Sequence, residues 1–409
     1  MEKTVSPASL SGQIQIIPSK SASHRAVMMA AMCRTETKIH PLQLSRDVEA
    51  TIACARALGL GQENQPFTPL RTLDCGESGS TLRFFIPFAL DGRGPVHFIG
   101  HGRLMQRPLT VYEELFTPRG VSWHQSGDAL TIEGQLQSGI YTLRGDVSSQ
   151  FITGLLLALP RLEGDSVIRL TTPLESCAYV ELTRRIQAAF GVTSEWTDER
   201  TLVIPGGQTA ISPGQFAVEG DWSHAAFYLV AGAIGASGPI LLTGLDMEST
   251  QGDRAIVPIL RRMGAIIEPE RGALLVCPSR MRPATVDVSQ IPDLVPALAV
   301  AMAAADGESR IVGGSRLRIK ESDRLSAIAN ALIACGADVT ELPDGLIIRG
   351  GKPLTGAKVD GCNDHRIVMS MAVASTIATG DITITDSESV AKSAPAFWEE
   401  FASLGGIAR

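Results

Sequence analysis

The stretch GDVSSQFITGLLLALPRLEGDSVIRLTTPLESCAYVELTRRIQAAFGVTSEWTDERTLVI, residues 145–204, contains one complete structural repeat of this chain. Its first part opens with polar side chains and continues with small and apolar ones on every side, which is typical of a buried helix. Tyr179, Ile186 and Phe190 then follow helical spacing and predict a surface helix that ends at Gly191. The runs VTSEW and TLVI flank the polar turn TDER and predict a β-hairpin.

Such a surface helix occurs six times in the chain of 409 residues, each time ending in a glycine. A glycine supplies the left-handed C-cap of a helix without a steric penalty from a Cβ atom. The six helices are Asp47 to Gly59, Leu109 to Gly120, Tyr179 to Gly191, Ile256 to Gly264, Leu325 to Gly336, and Phe397 to Gly405. Their terminal glycines lie 61, 71, 73, 72 and 69 residues apart, so the repeat is about 70 residues long.

A second set of six helices precedes the surface helices, and each member begins with polar residues before a run of small apolar ones. These segments are PSKSASHRAVMMAAM (18–32), ESGSTLRFFIPFAL (77–90), GDVSSQFITGLLLAL (145–159), GDWSHAAFYLVAGAI (220–234), PDLVPALAVAMAAA (292–305) and NDHRIVMSMAVAS (363–375). Helices that are apolar nearly all round are buried. The sequence therefore predicts an α/β protein with six repeats of buried helix, surface helix and strands.

The six repeats divide into two sets of three at a break near Glu219. We predict one lobe over 19–219 and a second lobe over 1–18 plus 220–409, with three repeats in each and an active site in the cleft between them. An open solenoid is the alternative architecture. Solenoid repeats usually span about 20 to 50 residues, and the repeats here are longer.

Composition excludes several classes of function. A net charge of −7 and an isoelectric point of about 5.6 argue against a dedicated nucleic-acid-binding protein. The seven cysteines are scattered and show neither a disulfide framework nor the spacing of zinc ligands. The N-terminus has no apolar signal segment, and no stretch is long enough to span a membrane. We therefore expect a soluble cytoplasmic monomer that has no nucleic-acid or membrane partner.

The first turns of the buried helices carry cations where the helix dipole is unfavourable to them. Lys20 and Arg25 lie in the first buried helix, Arg83 in the second, and His365 and Arg366 in the last. Serine and aspartate at these positions are ordinary N-caps, but lysine and arginine oppose the positive end of the dipole. A bound anion would offset that cost, so the pattern predicts an anion-binding site formed by helix N-termini. No Walker loop or complete GxGxxG motif indicates nucleotide binding.

Taken in order, motifs along nearly the whole chain resemble those of the EPSP synthase family of enolpyruvyl transferases. The matching segments are PSKSASHR (18–25), GESGSTLR (76–83), RLMQRP (103–108), GDVSSQ (145–150), IPD (291–293), RIKESDR (318–324), NDHR (363–366) and AKS (391–393). Each segment alone is a weak signal, whereas their combination is specific. The resemblance implies two lobes of three repeats that close on substrate, in agreement with the repeat pattern.

The resemblance also implies which residues bind the two substrates. For shikimate 3-phosphate they are Lys20, Ser21, Arg25, Ser148, Ser149, Gln150, Ser176, Asp293 and Lys320. For phosphoenolpyruvate they are Lys20, Gly79, Arg107, Gln150, Arg324, Arg366 and Lys392. Two phosphates and two carboxylates require guanidinium and ammonium partners, which these residue types supply.

The implied reaction adds the 5-hydroxyl of shikimate 3-phosphate to C2 of phosphoenolpyruvate while C3 gains a proton. The tetrahedral intermediate then expels phosphate, in a step of chorismate and aromatic amino-acid biosynthesis that glyphosate inhibits in this family. Asp293 is the implied base and Glu321 the implied acid, with Lys20 beside the leaving phosphate. The resemblance leaves open which group protonates C3. Neither a metal nor an organic cofactor is expected.

Three alternative functions remain. A UDP-N-acetylglucosamine enolpyruvyl transferase shares the fold and the donor, but that family has a reactive cysteine in the loop that corresponds to GHGRLMQRP (100–108), where this chain has none. An RNA 3′-phosphate cyclase has related repeats, but no nucleotide motif occurs here. A non-catalytic repeat scaffold would not need the acids and cations together. Two residues depart from the family pattern: Glu77 and Arg316 stand where asparagine is found in other members.

Overall fold

The computed structural model describes residues 1–60 and 70–409, which form two compact units. The contiguous unit is Pro18–Val218, and the composite unit joins Met1–Ile17 to Glu219–Arg409. Each boundary lies one residue from the predicted one, since Pro18 belongs to the contiguous unit and Glu219 to the composite unit. Each unit has its own hydrophobic core, and no residue is shared between the two cores.

Twelve helices alternate between buried and surface positions within the described residues. In the contiguous unit they are α1 (Lys20–Met32), α2 (Arg46–Ala57), α3 (Gly79–Ala89), α4 (Thr110–Phe116), α5 (Ser149–Ala158) and α6 (Cys177–Ala189). In the composite unit they are α7 (Trp222–Ile234), α8 (Ile256–Arg262), α9 (Val295–Ala304), α10 (Arg324–Ala334), α11 (His365–Ala374) and α12 (Phe397–Ser403). The odd-numbered helices are the buried set, and α7, α9 and α11 pack against one another. The predicted α/β fold of six repeats is confirmed.

The strands are short and are distributed over both units. They are β1 (Lys3–Ser6), β2 (Leu10–Gln15), β3 (Lys38–His40), β4 (Arg71–Asp74), β5 (Val96–Ile99), β6 (Ser122–Ser126), β7 (Ala129–Glu133), β8 (Ile140–Leu143), β9 (Ser166–Leu170), β10 (Glu195–Asp198), β11 (Thr201–Ile204), β12 (Gln215–Ala217), β13 (Ala236–Thr243), β14 (Ile266–Glu270), β15 (Ala273–Cys277), β16 (Thr285–Asp287), β17 (Gly307–Val312), β18 (Asp338–Leu342), β19 (Gly345–Gly350), β20 (Ala357–Val359), β21 (Ile382–Ile384) and β22 (Ile407–Ala408).

Most sheets combine one parallel pair with one antiparallel hairpin. In the sheet of order β4-β5-β7-β6, for example, α3 connects the parallel strands β4 and β5, and the hairpin β6–β7 follows. The hairpin predicted over 192–204 is β10–β11, and β14–β15 and β18–β19 are the corresponding hairpins of later repeats. A parallel pair needs a crossover connection, which the buried helix provides.

Two sheets take their first strand from a distant part of the chain. The strand parallel to β13 is β2, from the N-terminal segment, and the strand parallel to β3 is β12, from the end of the contiguous unit. The N-terminal segment therefore belongs to the composite unit because its strand completes a sheet there.

The glycines that end the surface helices adopt the predicted left-handed conformation. All six have positive φ angles, between 65° and 103°: Gly59, Gly120, Gly191, Gly264, Gly336 and Gly405. Two helix ends differ in detail from the prediction. The fourth helix finishes as a 3-10 turn, Thr117–Arg119, because Pro118 lacks an amide hydrogen. The ninth is preceded by another 3-10 turn, Pro292–Leu294.

Within residues 1–60 and 70–409, none of the helices combines the length and the apolar character that crossing a bilayer requires.

Candidate active site

Side-chain caps fix the N-termini of five of the six buried helices. Ser19, Ser78, Ser148, Asp221 and Asp364 each accept a hydrogen bond from a backbone amide in the first turn of the helix that follows. These caps hold the preceding loop against the helix end. The predicted site residues of each unit lie at or near these helix ends, and they form one cluster in each unit.

In the composite unit, Asp293 lies between three cations. Its Oδ1 accepts a hydrogen bond from Arg324 Nη1 at 2.8 Å, and its Oδ2 accepts one from Arg366 Nη2 at 3.1 Å. The Nζ atom of Lys320 lies 3.8 Å from Asp293 Oδ1. The structure thus brings together the predicted base and three of the predicted anion-binding residues.

Arg324 is the most heavily paired cation of this cluster. Besides Asp293, it donates from Nη2 to Glu321 Oε2 at 2.7 Å and from Nε to Asp364 Oδ2 at 2.8 Å. Ser322 also donates to Asp364 Oδ2, at 3.0 Å. The side chain of Arg324 is only 1% exposed, so these carboxylates fix its orientation as well as its charge.

The charges in this cluster shift the pKa values of its members in opposite directions. Burial raises the pKa of Asp293, but Arg366, Lys320 and Arg324 outweigh burial and hold that pKa well below its usual range. Burial lowers the pKa of Lys320 to about 8, and the Asp293 carboxylate offsets only part of that effect. At neutral pH Asp293 is therefore ionised, whereas Lys320 is close to its titration range.

Two more predicted residues are held by neighbours in the composite unit. Lys392 donates from Nζ to the carbonyl of Asn363 at 2.6 Å, just before α11. Arg366 also donates from Nη2 to Ser223 Oγ at 3.1 Å, and Ser223 donates in turn to Asp221 Oδ1 at 2.6 Å. The start of α7 is therefore linked to the start of α11 through these side chains.

In the contiguous unit, Lys20 at the start of α1 is paired with Asp47 of α2, with Nζ and Oδ2 3.0 Å apart. Arg25 lies one turn further along α1 and is buried. It donates from Nε to Thr183 Oγ1 at 2.7 Å and from Nη1 to the carbonyl of Ser21 at 2.7 Å. Burial lowers the pKa of Arg25 to about 10, which still leaves it protonated at neutral pH.

Gln150 connects α5 to α3. Its Oε1 accepts a hydrogen bond from Arg83 Nη1 at 2.8 Å, and its Nε2 donates to Ser80 Oγ at 3.0 Å. Ser148 caps the same turn of α5, and Ser149 beside it is buried. These contacts hold the predicted residues Ser148, Ser149 and Gln150 at the start of one helix.

Arg107 lies against the backbone of Gly79. A Cβ atom at Gly79 would lie 2.8 Å from Arg107 Cζ and 2.9 Å from its Nη2, so only glycine leaves room for the guanidinium. Glu77, two residues before Gly79, points toward the loop at 100–108, because a Cβ at Gly102 would meet Glu77 Oε2 at 2.7 Å.

Ser176 occupies the position before α6 with φ 56° and ψ 44°, in the left-handed region. A residue other than glycine is uncommon there, and such conformations are often found at functional sites. Ser176 is also buried, at 2% exposure. The predicted role of this serine in binding is therefore supported by a backbone conformation that the sequence did not reveal.

Sequence reasoning missed the residues that hold the predicted ones in place. Asp47 pairs with Lys20, and Asp364 and Ser322 hold Arg324. Arg83, which the sequence indicated as a cation of the anion site, orients Gln150. Asp364 and Ser322 lie inside the quoted motifs NDHR and RIKESDR, so their positions were a usable signal. Asp47 lies outside every motif, and only the packing of α2 against α1 reveals its role.

Comparisons with known proteins agree over nearly the full length. The family model described as EPSP synthase (3-phosphoshikimate 1-carboxyvinyltransferase) matches residues 5–401. A 3-phosphoshikimate 1-carboxyvinyltransferase of Clostridium perfringens is 43% identical and is covered over 98% of both chains. One from Clostridium kluyveri is also 43% identical, with 98% of this chain and 97% of the relative covered.

Solved structures share the fold. An EPSP synthase from Acinetobacter baumannii superposes with a TM-score of 0.80 at 26% identity, covering 100% of this chain and 99% of the other. The enolpyruvyl transferase NikO from Streptomyces tendae superposes with a TM-score of 0.79 at 16% identity, covering 100% and 98% of the two chains. At 16% identity, the similarity to NikO shows a shared fold and nothing about function.

Proposed function

Since the chain belongs to the EPSP synthase (3-phosphoshikimate 1-carboxyvinyltransferase) family of transferases, we propose that it transfers the enolpyruvyl group of phosphoenolpyruvate to the 5-hydroxyl of shikimate 3-phosphate and releases phosphate. This reaction belongs to the shikimate pathway, which leads to chorismate and the aromatic amino acids. The observation that carries the proposal is Asp293, an ionised carboxylate placed among Lys320, Arg324 and Arg366. A proton acceptor among anion-binding cations is what this addition requires.

Phosphoenolpyruvate is assigned to Lys20, Gly79, Arg107, Gln150, Arg324, Arg366 and Lys392. The position of Arg107 against Gly79 supports this assignment, because a guanidinium held over a helix N-terminus adds its charge to the dipole. In the structure Arg324 is fully engaged by carboxylates. The substrate anion therefore competes with Asp293 and Glu321 for Arg324, and binding releases these two acids for chemistry.

Shikimate 3-phosphate is assigned to Lys20, Ser21, Arg25, Ser148, Ser149, Gln150, Ser176, Asp293 and Lys320. The serine hydroxyls and helix amides at the start of α5 suit a phosphate, which accepts several hydrogen bonds at once. Asp293 suits a substrate hydroxyl, since an ionised carboxylate accepts the hydrogen bond from that group.

In the proposed mechanism, Asp293 accepts the proton of the 5-hydroxyl as its oxygen forms a bond to C2 of phosphoenolpyruvate. The C3 carbon receives a proton, for which Glu321 is the proposed donor, and a tetrahedral intermediate results. Loss of the C3 proton and departure of phosphate then restore the double bond, with Lys20 next to the leaving group. The donor carries its own leaving group, so the proposed reaction includes no metal or organic cofactor.

Arg324 and Lys320 control the charge at the two acids during this cycle. Released from Arg324, Asp293 becomes a stronger base, because the cation that depressed its pKa has turned to the substrate. The same exchange frees Glu321, the proposed proton donor, from its hydrogen bond with Arg324.

We further propose that the protein works in the cytoplasm as a monomer, without nucleic-acid or membrane partners. The net charge of −7 supports this proposal, because it disfavours binding to polyanions.

A phosphate-release assay tests the function. Phosphoenolpyruvate is supplied with shikimate 3-phosphate and, separately, with UDP-N-acetylglucosamine, the acceptor of the alternative transferase. We expect release only with shikimate 3-phosphate. Asp293→Asn should lower kcat by at least about a hundredfold, as loss of a general base does, whereas Asp338→Asn, at an exposed ion pair with Arg349, should leave it unchanged. Release with the UDP-sugar, or with neither acceptor, contradicts the proposal.

A further inference from the structure

The contiguous unit has a cavity of about 240 Å³ at the C-terminal ends of α1 and α5. Met29 and Met32 of α1 and Leu157 of α5 form one wall, and residues 208–210 form part of the other. The predicted site residues lie at the opposite ends of the same helices. Met29 and Met32 lie 9 and 12 residues beyond Lys20, so at about 1.5 Å per residue the cavity is roughly 14–18 Å along α1 from Lys20. None of the predicted site residues lines it.

The lining changes from apolar to polar between the floor and the mouth. Met29, Leu157 and Val192 are almost completely buried, with 0%, 2% and 4% of their surface exposed. Arg161 and Thr209, which also line the cavity, are exposed. A molecule that enters would therefore contact hydrocarbon and thioether groups with one end and a cation with the other.

Backbone and side-chain hydrogen bonds hold the two walls of the cavity together. The amide of Gln208 donates to the carbonyl of Pro160 at 2.8 Å, and the amide of Gly207 donates to the carbonyl of Leu162 at 2.5 Å. On the far wall, Gln187 Nε2 donates to the carbonyl of Leu156 at 2.7 Å. The cavity is thus formed by a rigid framework, as small-molecule sites usually are.

The guanidinium of Arg161, at the mouth of this cavity, is a hydrogen-bond donor. It lies 4.6 Å from the ring centre of Phe88 and also experiences the charges of Asp91 and Arg93. The nearby carboxylate of Asp91 is occupied by Arg71 and Arg93. An arginine remains charged at neutral pH. Arg161 is a cation among the residues that line the cavity.

We infer that this cavity binds a small amphipathic carboxylate, with its apolar end against Met29, Leu157 and Val192 and its carboxylate at Arg161. The volume equals that of about eight waters, each taking roughly 30 Å³ of liquid. That space suits one ring or a short aliphatic chain attached to a carboxyl group. Arg161 recognises the carboxylate through parallel hydrogen bonds, and the thioethers adapt to the apolar part.

Binding of 3-phenylpropanoate to the full-length protein tests this inference, followed by calorimetry or ligand-detected NMR at neutral pH. We expect saturable binding of one equivalent, and at least about tenfold weaker binding of the uncharged 3-phenylpropanamide. Arg161→Gln should weaken carboxylate binding about tenfold and bring it to the level of the amide. Arg169→Gln, at an exposed arginine of β9, is the matched control and should bind as the unchanged protein does.

A carboxylate can also bind to the cations of the candidate active site, so a further variant separates the two sites. Arg107→Gln should retain the binding of 3-phenylpropanoate, because Arg107 does not line the cavity. The inference is overturned if Arg161→Gln binds 3-phenylpropanoate as tightly as the unchanged protein. It is equally overturned if Arg107→Gln abolishes binding, if the amide binds as well as the acid, or if no binding is detected at millimolar concentration.

Discussion

At the scale of single residues, the cations of the composite unit are matched by carboxylates. Lys320, Arg324 and Arg366 face Asp293, Glu321 and Asp364, so ion pairs balance the positive charge before substrate arrives. Binding an anion therefore requires exchange of partners as well as attraction.

Gly79→Ala should displace Arg107 from the start of α3. The new Cβ would lie 2.8 Å from Arg107 Cζ, so the guanidinium must move from the position in which we propose that it binds phosphoenolpyruvate. We expect the KM for phosphoenolpyruvate to rise about tenfold or more, the scale of a weakened charge-assisted hydrogen bond. Steady-state kinetics would measure it, with Gly238→Ala as the control, because a Cβ there meets only Ser11 at an ordinary 3.5 Å. An unchanged KM for Gly79→Ala would contradict the role of Arg107.

Lys320 should impose an alkaline limit on activity. Burial lowers its pKa to about 8, so its ammonium group loses its proton as pH rises through that value. Since kcat/KM reports groups of the free enzyme, kcat/KM for shikimate 3-phosphate should fall above pH 8. Lys320→Arg keeps its charge, so its kcat/KM, although lower, should show no such fall below pH 10. If kcat/KM of Lys320→Arg still fell above pH 8, the titrating group would be a residue other than Lys320.

At the scale of elements, the surface helices all end in a left-handed glycine. The structure shows whether lack of space for a Cβ atom or the backbone conformation requires glycine at each end. At Gly264 a Cβ would lie 2.9 Å from the carbonyl of Arg280, so both space and conformation demand glycine. At Gly120, with φ 82°, nothing lies within 4 Å of the added Cβ. Conformation alone selects glycine at the end of the fourth helix.

Gly120→Ala should therefore cost about 1–2 kcal/mol of unfolding free energy, the price of the left-handed conformation for a residue with a Cβ. Gly120→Asn should cost less, because asparagine tolerates this conformation better. Urea unfolding followed by circular dichroism would measure both. Equal losses for the two variants would show that something other than backbone conformation sets the requirement.

At the scale of the whole molecule, the chain passes between the two units only at 17–18 and 218–219. The amide of Asp221 donates to the carbonyl of Ile17 at 2.8 Å, so both crossings leave the composite unit at the same place. The contiguous unit closes its own first sheet by pairing β12 with β3. Each unit thus has a complete set of sheets and a separate core.

We expect the fragment 18–218 to fold on its own. Its core is large, and a domain of about 200 residues buries enough surface to be stable alone. The fragment should show cooperative thermal unfolding by circular dichroism and no phosphate release, since it lacks Asp293, Arg324 and Arg366. The composite unit, with Ile17 joined to Glu219 by a short glycine linker, is the matching control. Non-cooperative unfolding of the fragment would show that its core depends on the rest of the chain.

The sequence by itself determined the repeat and the identity of the chemistry. The terminal glycines and the alternation of buried and surface helices are local patterns, because helix periodicity and C-cap conformation depend on residues a few positions apart. The motifs SKSASHR, KESDR and NDHR likewise identified the family, and they contain Lys20, Glu321 and Arg366.

Only the tertiary structure decided which distant groups meet. The pairing of β2 with β13 completes a sheet in the composite unit, and that of β12 with β3 forms a sheet in the contiguous unit; no local pattern encodes either pairing. The contacts of Asp47 with Lys20 and of Asp364 with Arg324 are equally non-local. The same holds for the pKa of Lys320, because burial and neighbouring charges set it, and both exist only after the chain has folded.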